Sequence, residues 1–166
     1  VPIVDAYDRL HKRGVAHGDV SRHNILIDPL TQAVGLVDFE SSSRQPGDER
    51  LRRRFTWAYA APEFAHDASR PSPPRQLPTP ASDQYAVAAV LYRQLTGHYP
   101  RPTVDGAKPD SPQALTTPAR PLAGEPCRQW PGLDMVFATA LSPNPADRFA
   151  TMADFAEALG TVLNGR

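Results

Sequence analysis

The chain has 166 residues, room for one domain with a real core and short for two. Apolar residues make up 40% and charged residues 22%, with Lys plus Arg and Asp plus Glu balanced at 18 each, so the chain should fold, and no overall field directs it to nucleic acid. A single cysteine, Cys127, excludes a disulfide framework and a cysteine-rich zinc site and suits a reducing, cytoplasmic setting, and no apolar run approaches the roughly 20 residues of a membrane span, so no membrane partner is expected.

Val4, Tyr7, Leu10 and His11 recur at helical spacing, which predicts a first helix over residues 4–13 with Gly14 as its stop. The opening Val1-Pro2-Ile3 in front of that helix carries the expectation that the chain belongs to something longer. A polar segment follows over 17–23. Two short strands, 24–27 and 33–37, are joined by the turn Asp28-Pro29-Leu30-Thr31-Gln32. Residues 40–56 are polar and Arg-rich and read as a loop, with Arg50, Arg52, Arg53 and Arg54 taken as a solvated face. The stretch 66–80 is proline-rich and irregular. Ser82 is the expected cap of a helix running to Thr96, its apolar face made by Tyr85, Val87, Val90, Leu91 and Leu95, and Gly97 ends it. Residues 100–126 are again proline-rich, with at most a short helix near Gln113. Leu133, Val136, Phe137, Ala140 and Leu141 mark another helix. Thr151 with Asp154 is a capping pattern opening the last, which contains Met152, Phe155, Leu159 and Leu163. His11, His23, His66 and His98 show no ligand spacing and read as surface or structural.

Chemistry concentrates in His17-Gly18-Asp19-Val20-Ser21-Arg22-His23-Asn24 and in Asp38-Phe39-Glu40. Asp19 and Asn24 share one loop, and the hairpin returns the chain so that Asp38 can arrive beside Asn24. One carboxylate to orient an attacking hydroxyl, with an amide oxygen and a second carboxylate to hold magnesium against phosphate oxygens, is what phosphoryl transfer needs. The same spacing also fits a polar loop with a capping aspartate.

These residues resemble the eukaryotic-type protein kinase family, whose catalytic loop reads H-R-D-x-x-x-x-N and whose metal loop reads D-F-G; the matches are His17, Asp19, Asn24, Asp38 and Phe39. Aminoglycoside phosphotransferases and related small-molecule kinases share the H-G-D-x-x-x-x-N string. Three later motifs favour protein kinases. Thr56-Trp57-Ala58-Tyr59-Ala60-Ala61-Pro62-Glu63 resembles the end of the activation segment, Ser82-Asp83-Gln84-Tyr85 the start of the central helix, and Pro145-Ala146-Asp147-Arg148-Phe149 the site of the arginine that pairs with the Ala-Pro-Glu glutamate.

The resemblance implies a mainly α fold with a small β-hairpin, the C-terminal lobe of a protein kinase over residues 1–166, with catalytic loop 17–24, metal loop 38–40, activation segment 38–63 and central helix 82–96. It implies transfer of the ATP γ-phosphate to Ser/Thr hydroxyls of a protein or peptide. Asp19 and Asn24 are then catalytic, and Asn24 and Asp38 bind Mg2+ and, through it, ATP. Ser21, Arg22 and Thr56 position substrate, and His17, Phe39, Glu63, Asp83 and Arg148 are structural. The loop His17-Gly18-Asp19 and the opening Asp83-Gln84-Tyr85-Ala86 also resemble the kinase domains of bacterial lanthipeptide synthetases. A pseudokinase or interaction module, with the fold kept and catalysis lost, is the alternative.

Three positions depart from the pattern. Gly18 replaces the arginine that receives a phosphorylated activation loop, Ser21 replaces the lysine that contacts the transferred phosphate, with Arg22 beside it, and Glu40 replaces the glycine of the metal loop. None of the ten glycines forms a G-x-G-x-x-G, and neither of the two lysines, Lys12 and Lys108, follows a V-A-I-K strand. The nucleotide-covering N-terminal lobe is therefore expected from elsewhere, in cis or from a partner chain.

Overall fold

A computed structural model describes residues 1–43, 56–65, 77–101 and 115–165. Helices dominate: α1 (Pro2–His11), α2 (Pro80–Thr96), α3 (Glu125–Gln129), α4 (Leu133–Ala140) and α5 (Met152–Asn164), with 3-10 turns at Pro62–Phe64 and Pro145–Asp147. Two three-residue strands, β1 (Ile25–Ile27) and β2 (Val34–Leu36), pair antiparallel in the register Ile25–Leu36, Leu26–Gly35, Ile27–Val34.

The core is built around α2, which is buried on every side: each residue from Ser82 to Val90 and also Tyr92 is out of solvent. A helix buried all round must be apolar all round or have partners for its polar groups. Ala86, Val87, Ala88, Ala89 and Val90 meet the first condition, and Ser82, Asp83 and Gln84 meet the second. Helices α1, α4 and α5 pack on α2 and α5 packs on α1, bringing Val4, Tyr7, Val136, Phe137, Met152, Phe155 and Leu159 into one cluster. Gln84 ties the entry of α5 to α2, its amide donating to the carbonyls of Phe149 at 3.1 Å and Thr151 at 3.2 Å.

Several boundaries differ from expectation. Helix α1 spans Pro2–His11 rather than 4–13, because proline at the first helical position is pre-set for helix entry and needs no N–H partner there. Helix α2 begins at Pro80, not Ser82. Thr79 is its cap, accepting from Ser82 N while the Ser82 hydroxyl accepts from Thr79 N at 2.9 Å, so Ser82 is the third residue of a capping box. The start of α2 was hidden by counting Pro80 with the prolines before it. At the other end Gly97 takes a left-handed φ of 76° and its N–H closes on Arg93 O. The capping box at Thr151 and Asp154 opens α5. Helix α3 begins in the last two residues of the stretch that reads in sequence as irregular and proline-rich and runs on to Gln129. The expected short helix near Gln113, the arginines at 50 and 52–54, and His66 fall outside the described residues.

Arg101 is 1% exposed, and among the described residues none of its guanidinium nitrogens makes a well-formed hydrogen bond. It lies 4.9 Å from the centroid of the Tyr85 ring, a cation–π contact that offsets part of its desolvation.

Candidate active site

The site is hung from α2. The Asp83 carboxylate, 1% exposed, accepts His17 N at 2.7 Å and Gly18 N at 3.0 Å. His11, at the end of α1, adds a third contact, its Nε2 lying 2.9 Å from Asp83 Oδ2. A buried carboxylate left without donors would cost several kcal/mol; here three donors satisfy it, and in return it fixes the backbone before Asp19. Gly18 adopts φ +82°, and a Cβ there would collide with the Ser41 carbonyl and meet Pro78 Cγ at 2.8 Å. Only glycine lets residues 41 and 78 close on this loop.

Asp19 projects from the loop thus held. Its Oδ1 accepts Thr56 N at 2.8 Å and the Thr56 hydroxyl at 3.1 Å. Its Oδ2 accepts Asn24 Nδ2 at 3.2 Å, and the same amide nitrogen donates to Asp19 O at 2.8 Å. With both protons of that nitrogen spent on Asp19, Asn24 turns its amide oxygen away, available as a ligand.

The hairpin delivers Asp38 next to Asn24. Val37 N donates to Asn24 O at 3.1 Å, extending the β1–β2 ladder by one bond, and the following residue, Asp38, breaks from the strand at φ +62°. This left-handed conformation turns its exposed carboxylate out of the sheet, and among the described residues nothing donates to it. His17, fully buried, braces the same corner. Its Nε2–H donates to Val37 O at 3.0 Å, its Nδ1 accepts Asp19 N at 3.3 Å, and its ring lies 4.8 Å from that of Phe39. One imidazole therefore couples the Asp19 loop to the Asp38 loop.

The segment ending in Glu63 is anchored separately. Arg148 donates from Nη1 to Glu63 Oε1 at 2.8 Å and from Nη2 to Oε2 at 2.7 Å, a parallel fork. The remaining guanidinium protons go to the carbonyls of Ala81 and Ser142, each at 2.9 Å, with Pro143 O at 3.4 Å.

The family model for the protein kinase domain matches residues 1–135. The chain belongs to the protein kinase family. It is 32% identical, over 98% of its length, to the serine/threonine-protein kinase PknF of Mycobacterium tuberculosis, of which it covers 34%. It is 35% identical over 97% of its length to PknD of the same species, covering 23% of that protein, and 33% identical over 94% to PknA, covering 34%. The chain thus spans about a third or less of the curated kinases it matches.

Protein kinases use ATP with Mg2+, and the donor set fits that ion. Magnesium takes hard oxygen ligands, keeps several waters and needs only one or two protein groups. The Asn24 amide oxygen and the Asp38 carboxylate, just outside the paired strands β1 and β2, could supply such oxygens. Other residues singled out in the sequence are less favourably placed. Ser21 is 2% exposed, and a tight turn carries Asn24 N to Ser21 O. Arg22 is exposed beside it.

Two contributors were not singled out. His11 read as a surface or structural histidine, yet it reaches an aspartate 72 residues away; its position on the same helical stripe as Val4 and Tyr7 was the available signal. Tyr7 shares that pocket, with its hydroxyl buried and its pKa driven far up by burial first and then by the charges of Asp83 and Asp19. It stays neutral.

Proposed function

We propose that this chain is the C-terminal lobe of a Ser/Thr protein kinase catalytic domain and that it takes part in transferring the ATP γ-phosphate to Ser/Thr hydroxyls of a protein or peptide. One observation carries the reading: a carboxylate clamped on both oxygens by Thr56 and Asn24 is tied through the His17 imidazole to the loop that bears a second carboxylate, Asp38, to which no described residue donates. A clamped carboxylate suits orienting a hydroxyl and accepting its proton, and a free one suits metal binding.

In this reading the hydroxyl gives its proton to Asp19 as its oxygen bonds to the γ-phosphorus and the bond to the ADP oxygen breaks. Thr56 holds Asp19 at the acceptor and lines the place of the incoming hydroxyl. Asn24 and Asp38 hold Mg2+, which when bound neutralises the phosphate oxygens. His17, Phe39 and Asp83 keep the two loops in register, and Glu63 with Arg148 secures the platform on which the peptide lies. The glycine-rich loop and phosphate-pairing lysine, absent from this sequence, come from an N-terminal lobe in cis or from a partner chain.

The test is Asp38→Asn in the natural gene product carrying this chain. Loss of phosphoryl transfer with an unchanged circular dichroism spectrum is expected. Equal activity at saturating magnesium and ATP refutes the assignment.

A further inference from the structure

The turn that clamps Asp19 is gripped by an aromatic pair to which the roles above give no part. Thr56 donates its N–H and its hydroxyl to Asp19 Oδ1, while its own carbonyl accepts Tyr59 N at 2.9 Å and Ala60 N at 3.1 Å. Thr56 and Tyr59 are therefore two ends of one tight turn, and a shift of Tyr59 carries Thr56 with it. Residues 58–61 are all buried, and three of them are alanines. A methyl group offers little surface to hold, so the Tyr59 ring, 3% exposed, is the main handle by which the fold grips this stretch. Its centroid is 5.7 Å from that of Tyr99, with the rings tilted by 50°, a separation at which aromatic rings attract.

Tyr99 is itself held firmly. The Thr96 hydroxyl, donating to Tyr92 O at 2.9 Å, accepts His98 N at 3.1 Å, which fixes the turn before Tyr99. Just after it, Pro100 O accepts Arg120 N at 2.6 Å. The guanidinium of Arg93, in the last turn of α2, lies 3.8 Å from the Tyr99 centroid, a cation–π contact that pins the ring to the helix. Contacts thus run from Arg93 through Tyr99 and Tyr59 to Thr56 and on to Asp19. The Glu63–Arg148 fork secures the far end of the same segment; the stack secures the end that meets the reacting carboxylate.

We propose that Tyr99, pinned by Arg93, is a positioning residue for phosphoryl transfer: its ring, against Tyr59, keeps the Thr56 turn seated on Asp19. This rests on the kinase reading of Asp19 and goes beyond it in naming two residues, both remote from the reacting atoms, that set the aim of the catalytic carboxylate.

The experiment uses the natural gene product carrying this chain and reads both kinetics and amide hydrogen exchange. Tyr99→Ala should lower kcat about tenfold, the scale set by loosening a catalytic group, with the KM for Mg-ATP unchanged, because the stack touches no residue assigned to the metal or the nucleotide. Tyr99→Phe should retain the wild-type rate, since the ring and not the hydroxyl makes the stack, and Arg93→Met should lower kcat several-fold. In a Thr56→Ala background Tyr99→Ala should cost less than about twofold more, since residues that act through one contact are not additive. A merely structural loss of folded protein would instead multiply the two effects. Exchange at the Thr56, Tyr59 and Ala60 amides should quicken several-fold in Tyr99→Ala while the amides of α5 keep their wild-type rates. Multiplying losses in the double variant, a Tyr99→Phe as impaired as Tyr99→Ala, or unchanged exchange at Thr56 overturns the proposal. Wild-type turnover in Tyr99→Ala overturns it while leaving the kinase reading standing. Quickened exchange at Thr56 in a protein that phosphorylates no peptide supports the brace on Asp19 while removing the kinase reading.

Discussion

Breaking the Glu63–Arg148 fork is the most informative perturbation of the scaffold. The Arg148 side chain has no exposed surface and that of Glu63 only 12%, so the pair is a buried one, unlike surface ion pairs that contribute little. Glu63→Ala leaves a guanidinium held only by the carbonyls of Ala81, Ser142 and Pro143 and stacked 5.0 Å from the Tyr85 centroid. Removing one partner of a buried pair costs about 3–5 kcal/mol, which for a chain of this size lowers the melting temperature by roughly 6–20 °C. Arg148→Ala should cost more, because it strands the glutamate and also deprives the Ala81 and Ser142 carbonyls of their donor. The double variant removes the stranded charge, so its cost should fall short of the sum by about 1–3 kcal/mol. Urea unfolding of the four proteins, followed by near-ultraviolet circular dichroism, gives the cycle. Additivity within about 0.5 kcal/mol would mean that the two side chains are not coupled, and the anchoring of the Glu63 segment would need another explanation.

Gly18→Ala should cost about 1–2 kcal/mol for its left-handed backbone alone and, by pushing residues 41 and 78 off the catalytic loop, reduce phosphoryl transfer on the order of tenfold; wild-type rates in the variant would show that this close approach is unimportant. Phosphatase treatment should leave the wild-type rate unchanged, since no guanidinium at position 18 awaits a phosphate, and inactivation by phosphatase would contradict this. The Asp28 carboxylate is held below its ordinary pKa by the backbone N–H groups of Thr31 and then Leu30, so its grip on the hairpin turn is complete above the ordinary carboxylate range and is lost as pH falls through the depressed value. The Leu30 and Thr31 amide resonances should therefore titrate together in that acid range and stop doing so in Asp28→Asn; movement at or above the ordinary range would refute the assignment. The 166-residue chain expressed by itself should bind Mg-ATP weakly and turn over no peptide, because the roof of the cleft is not in its sequence; micromolar affinity in calorimetry would show otherwise.

What the sequence made legible follows from the range of the interactions involved. The capping box of Thr151 with Asp154 and the apolar stripes of α4 and α5 are local, and they read correctly. So did the stop of α2 at Gly97, which needs only a residue at ease with positive φ. Helix α3 was missed because five residues opening Glu125-Pro126 after Gly124 carry no periodicity to detect, and the start of α2 was misplaced because Pro80 looks like the end of a proline run until Thr79 is seen to cap it. At the site, the loop from His17 to Asn24 and the corner at Asp38 were visible as motifs. Their clamps were less so. Thr56 on Asp19 and His11 on Asp83 are contacts across 37 and 72 residues, and the local pattern that marks each residue does not name its partner. Burial of Ser21 could not be read from its position in the loop.

The bonds that hold the site together also set an order of assembly. Asp83 reaches back 65 and 66 residues to Gly18 and His17, and Arg148 reaches back 85 to Glu63. Closing loops of that length is entropically costly before the contacts reward it, and chains rich in distant contacts fold slowly. During synthesis from the N-terminus, the catalytic loop emerges long before the aspartate that shapes it, and the Glu63 segment waits for nearly the whole chain before its anchor appears. The hairpin and α1 can form early, but the arrangement of Asp19 matures only once α2 is in place. A nascent chain stopped at the end of α4 would carry every residue proposed for the chemistry while lacking the arginine that secures the Glu63 segment.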